Sequence, residues 1–234
     1  MPRALGLISA FCLWTFWTTF GLASETLSND HISQSISVSL TGDDGDIRVT
    51  ARIDAPEGDI RLPRTDWLEL TDISVDGQQV EPPGTAVVPV AHHKGKPFTA
   101  TMTGRLPPLA RTPRTAAFSG DGSYLIGADW FPTDDRALHR FEITLDVPRD
   151  QTAVATGSRT SAQTDADGYR AIFTFEGRAT DIGIFTGVYE MRETQRDGRT
   201  LRTYFTSDDT DLSEAYLDAA AGYIEAFETR VGPY

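Results

Sequence analysis

GSYLIGADWFPTDDRALHRFEITLDVP, residues Gly122 to Pro148, joins an aromatic, acidic loop to the clearest strand in the chain. Phe141, Ile143, Leu145 and Val147 alternate with Arg140, Glu142, Thr144 and Asp146, the period-2 pattern of a strand with one buried and one wet face. Pro148 ends the run. Trp130-Phe131-Pro132 sits where the loop meets the strand, beside Asp129, Asp134 and Asp135. Such a loop is either a packed corner or one wall of a binding cleft. Large rings are usually anchored in a core, which favours the corner.

Working upstream, residues Ser35 to Asp54 read as a hairpin. Ile36/Val38/Leu40 and Ile47/Val49/Ala51 alternate on either side of a loop built on Asp43, Asp44 and Gly45. Trp67–Asp76 alternates again, followed by the apolar run Ala86–Val90 and by Phe98–Met102. Asp-Gly pairs at 76–77, 121–122, 167–168 and 197–198 favour the positive-φ turns that close tight hairpins. The segment Leu106–Arg114 carries three prolines, which bars it from a central strand and suits a crossing from one sheet to another. Downstream of Pro148, Tyr169–Glu176, with Ala171, Phe173 and Phe175 inward, then Ile182–Arg192 and Arg199–Thr206 complete the strands. The expected fold is all-β, an antiparallel β-sandwich over residues 28–207.

The character changes at residue 208. Leu212, Tyr216, Ala219, Ala220, Tyr223, Ile224, Phe227 and Val231 recur at three- and four-residue intervals, an amphipathic helix with a wide apolar stripe over 208–234. Asp209 or Thr210 can cap it, Asp211 and Glu214 complement its positive end, and Gly232-Pro233 stop it. A face this apolar needs something to lie on, and its position suggests a helix belonging to a following domain.

At the other end, Met1-Pro2-Arg3 precedes an uncharged apolar run that reaches small residues at Gly21 and Ala23. This reads as a secretory signal peptide over residues 1–23, with export to the periplasm or the exterior. The run approaches the roughly 20 residues that span a bilayer, so an uncleaved membrane anchor is the second reading. The single cysteine, Cys12, lies inside it, and the mature chain therefore relies on a core rather than disulfides. With 34 acidic against 21 basic residues and a net charge of −13, the chain is a poor partner for nucleic acid or an anionic membrane surface.

No local chemistry stands out. His31, His92, His93 and His139 form no i, i+4 pair, and His92-His93 on an extended backbone point to opposite faces, so a metal site is not expected. His139 shares a face with Phe141 and Ile143 and suits the edge of a core. The turns at Asp43/Asp44/Asp46 and Asp165/Asp167 resemble pieces of calcium loops but lack the closing glutamate. No phosphate loop, nucleophile elbow or cysteine nucleophile is present.

Four segments in order carry a family resemblance: WFPTDD (130–135), FEITLDVPRDQTAVATG (141–157), ATDIGIFTGVYE (179–190) and the helix ending FETRVGPY. Together they resemble the N-terminal domain of the M1 zinc metallopeptidases, the aminopeptidase N group. The resemblance covers roughly residues 122–234, and the first half of the chain fits by its strand pattern. It implies a saddle-like β-sandwich lying against a zinc-bearing catalytic domain, which would be the chain's partner, with a peptide as substrate. Residues 208–234 would then be the first helix of that catalytic domain. Neither His-Glu-x-x-His nor Gly-x-Met-Glu-Asn occurs in this sequence, so zinc is expected in a full-length parent and the chain alone is expected to be inactive.

The family places a glutamine or glutamate shortly before its aromatic-Pro motif to hold the substrate amino terminus. This chain has neither between Gly120 and Phe131. Asp121 is the nearest carboxylate, Ser123 stands about where that residue would fall, and with Trp130 these are the candidate substrate-binding residues. The other class of reading is a free-standing secreted sandwich that binds a polysaccharide or a protein, using Trp67, Trp130 and Phe131 as a platform.

Overall fold

The computed structural model describes residues 31–40, 44–54, 59–63, 69–79, 87–88, 96–109, 115–133 and 138–232. The segment 1–23 read as a signal peptide, Asp43, Trp67, His92, His93, Asp134 and Asp135 lie outside them, as do the side chains of His31 and His139. The strand read from Phe141 onward is β10 (Leu138–Val147), and it lies inside a large sheet. Its inward residues Phe141, Ile143, Leu145 and Val147 are all buried, each contributing about 2 kcal/mol by leaving water.

On one side β10 pairs antiparallel with β13 (Tyr169–Ala179), which pairs with β12 (Ser158–Thr164) at the edge. On the other it pairs with β1 (His31–Ser39), and this pair is parallel. Beyond β1 come β2 (Asp46–Asp54), β7 (Phe98–Arg105), β4 (Glu69–Val75) and β5 (Gln78–Gln79). The expected antiparallel sandwich is therefore present, with this one parallel pair inside it. The hairpin of β1 and β2 forms as expected, but the far edge of β1 is taken by a strand about a hundred residues away, which alternation cannot announce.

A second sheet has the order β11 (Thr152–Ala155), β14 (Ile184–Gly187), β9 (Gly122–Leu125), β8 (Ala116–Ser119). The proline-bearing segment leads from β7 in the first sheet to β8 in the second. Side chains from both sheets share one core, Ile36, Val49, Ile143 and Phe173 from the first and Leu125, Ala153 and Ile184 from the second. A short pair, β3 (Ile60–Arg61) with β6 (Val87–Val88), stands apart from both.

The run read as one strand over 182–192 breaks at Val188-Tyr189. It becomes β14 and then β15 (Glu190–Arg196), which pairs only with β16 (Arg199–Phe205) among the described residues. Asp197 and Gly198 both take positive φ to close that hairpin, and Asp76 and Gly77 do the same between β4 and β5.

A 3-10 turn, Ser207–Leu212, leads into α1 (Ser213–Val231). Guanidinium-carboxylate pairs Arg196–Asp218 and Arg199–Glu228, with an edge-on contact of Phe205 and Tyr216 at 5.2 Å, hold α1 to the hairpin. Of its residues only Ser213 and Leu217 are buried, with Ala220, Ala221, Ile224 and Glu228 half-covered on the same side. The aromatic stripe points elsewhere. Tyr216 is 57% exposed, Tyr223 70%, Phe227 62% and Val231 79%.

Candidate functional site

The Trp130 loop is a corner of the core. Trp130 and Phe131 are fully buried and meet edge to face at 5.0 Å. The indole Nε1 donates to Ile182 O at 3.1 Å, which satisfies the one polar atom of that ring. The backbone beyond is clamped by Gln34 Nε2 donating to Pro132 O at 2.8 Å and by a two-bond bridge between Thr133 and Arg61. Trp130 thus shapes the loop from behind, and neither it nor Phe131 offers a platform. Trp67 lies outside the described residues.

Ser123 is also buried. Its hydroxyl lies 2.8 Å from Thr186 Oγ1, and its backbone N–H donates to the same oxygen at 3.1 Å. Thr186 Oγ1 in turn donates to Gln151 Oε1 at 3.1 Å, so Ser123 is the donor to Thr186. The chain Ser123–Thr186–Gln151 joins β9, β14 and the start of β11 beneath the surface. Thr186 and Gln151 were not singled out from sequence, because nothing local marks an isolated threonine and glutamine that meet across three strands.

Asp121 alone of the three candidates is exposed. It occupies the turn between β8 and β9, where its backbone O accepts a bond from Val188 N at 3.0 Å. Gly122 follows because nothing larger fits. A Cβ there would meet Thr186 O at 2.2 Å.

Above the Ser123–Thr186 pair the surface sinks into a groove of about 220 Å³. Leu109, Phe118, Tyr124, Phe185, Val188 and Tyr189 are among the residues that line it, as is Asp121. Tyr124 and Phe185 stack across neighbouring strands at 6.5 Å. Tyr189 donates its hydroxyl to Thr186 O, and burial pushes its phenol pKa upward. Tyr204, edge-on to Tyr189 at 6.3 Å, is raised by burial too, against the opposing pull of Arg159 and Arg202.

Among the described residues no group of three or more His, Cys, Asp or Glu side chains could hold a metal ion. No helix among them is long and apolar enough to cross a membrane.

No protein-family model matches the sequence, and no curated protein does. Solved structures do match by shape. The M1 zinc metallopeptidase of Deinococcus radiodurans superposes at a TM-score of 0.57 with 17% identity, over 88% of this chain and 53% of its own. The fold is that of the M1 zinc metallopeptidases. A variant of the Deinococcus protein bound to the substrate Tyr-Ser-Ala matches at 0.58 with 18% identity, over 88% of this chain and 54% of that one. Aminopeptidase A of Legionella pneumophila, solved with aspartic acid, matches at 0.59 with 12% identity, over 85% of this chain and 26% of its own. The chain spans about a quarter to a half of the length of these metallopeptidases.

Proposed function

We propose that the chain is the N-terminal, non-catalytic portion of an exported M1-type zinc metallopeptidase. It forms one wall of the substrate cleft and supports a catalytic domain that carries the zinc. The single observation behind this reading is that nearly nine-tenths of the chain superposes on a fold making up only about half of the Deinococcus enzyme. The uncovered aromatic stripe of α1 agrees with it, since an apolar face of that size is normally packed against more protein. Within this reading Asp121 meets the peptide, while Ser123 and Trp130 hold the wall from behind. The zinc ligands and the glutamate that activates water belong to the catalytic domain.

The test is to read the DNA downstream of the Tyr234 codon and assay the encoded protein. A frame running on through His-Glu-x-x-His, and a product whose cleavage of Tyr-Ser-Ala stops on chelation and returns with zinc, is the expected result. A stop codon with no such motif following in any frame overturns the peptidase reading.

A further inference from the structure

The groove beside Asp121 has a chemical character that the fold does not dictate. Most of its hydroxyls are already committed. Ser119 Oγ donates to Gly122 O, Ser123 Oγ to Thr186, Thr186 Oγ1 to Gln151, and Tyr189 OH to Thr186 O. A polar side chain entering the groove would leave its water partners and meet few free donors, which costs about 1–3 kcal/mol per unpaired group. An apolar one would cover surface that now faces water, because Leu109 is 62% exposed, Phe185 43% and Val188 47%. Asp121 is the one charged residue in the lining among the described residues, so a second carboxylate would enter against a like charge with no cation beside it.

We propose that this groove seats an apolar, preferably aromatic, side chain of a peptide and rejects an acidic one, with Phe185 and Asp121 setting the preference. Phe185 supplies the stacking face, extended by Tyr124. Asp121 supplies the repulsion. The inference rests on the reading of this face as a cleft wall, and it adds the class of side chain received there.

The experiment titrates the 234-residue protein with L-phenylalaninamide, L-alaninamide and L-glutamic acid α-amide, following backbone amide NMR shifts. Phenylalaninamide is expected to bind at least tenfold more tightly than the glutamyl amide, with shifts mapping to β9, β14 and the Val188-Tyr189 segment. Phe185→Ala should remove most of the advantage over alaninamide, and Asp121→Asn should narrow the gap to the glutamyl amide. Both positions are exposed enough for the variants to fold. Equal affinity for the three amides, or shifts confined to other surfaces, overturns the inference. In a longer protein, peptide cleavage with no preference between phenylalanyl and glutamyl substrates would sink this inference and leave the peptidase reading intact. Binding of phenylalaninamide at the groove of a longer protein that cleaves nothing would do the reverse.

Discussion

Ser123 Oγ and Thr186 Oγ1 lie 2.8 Å apart across the join of β9 and β14, and the threonine oxygen also receives the Ser123 N–H. Replacing Thr186 with valine strands that N–H, the serine hydroxyl and Gln151 Oε1 together. Replacing Ser123 with alanine removes one donor and leaves the others paired. Thr186→Val should therefore lower unfolding free energy by about 1–3 kcal/mol and Ser123→Ala by about 1 kcal/mol, read from urea midpoints. Equal losses would show that the threonine is not the centre of the network.

Gly122 and Gly120 sit at the same turn and should respond differently. A methyl group at Gly122 drives into Thr186 O, while at Gly120 it meets nothing within 4 Å. Gly122→Ala is expected to cost about 1–3 kcal/mol through forced separation of β9 and β14. Gly120→Ala should fall within about 0.5 kcal/mol of the parent. Thermal unfolding of the two variants side by side checks this.

Trp130→Ala should cost about 3–5 kcal/mol, because it empties the corner and leaves Ile182 O without its donor. The neighbouring Asp129 is exposed, and Asp129→Ala should change stability little. A Trp130→Ala protein as stable as its parent would contradict the corner.

Burial raises the phenols of Tyr189 and Tyr204 above their ordinary value of about 10. Folding thus holds protons that the unfolded chain releases, and the associated stability is present at neutral pH. It is lost as pH rises from the unfolded value through the higher folded ones. Absorbance titration of the tyrosines should show these two phenols ionising above their ordinary value, and Tyr189→Phe should soften the alkaline loss of stability.

The stripe of α1 should bind a hydrophobic dye. Tyr223→Gln with Phe227→Gln is expected to reduce that fluorescence several-fold while helical circular dichroism is retained, since Leu217, the Phe205–Tyr216 contact and the ion pairs of Arg196 and Arg199 that hold α1 to the hairpin are untouched.

The strands with one apolar face were legible because burial imposes a period of two. The apolar positions of β2 and β10 stand out in the sequence and are the buried ones. β12 was missed because Ser158–Thr164 is polar on both faces, as suits an edge strand, and carries no period to find. The break at Val188-Tyr189 was hidden because alternation runs on through it. In α1 the sequence shows which residues are apolar but not which are covered. The contact with the hairpin runs along Ser213, Leu217 and Ile224, one strip away from the rings. At the candidate site, Ser123 and Asp121 came from their place in a motif. Thr186 and Gln151, which make Ser123 a fastening rather than a contact, are distant in sequence and marked by nothing local.

The parallel pairing of β1 with β10 sets an order on assembly. On one side of β1 lie β2, β7, β4 and β5, and on the other β10, β13 and β12. A ribosome delivers β1 ahead of β10, its second partner, which arrives about a hundred residues later. Until then one whole edge of β1 is open to any other strand. Loss of β1 would split the large sheet into two halves with no strand in common, so a defect in that one strand would be felt at the centre of the sheet rather than at its rim.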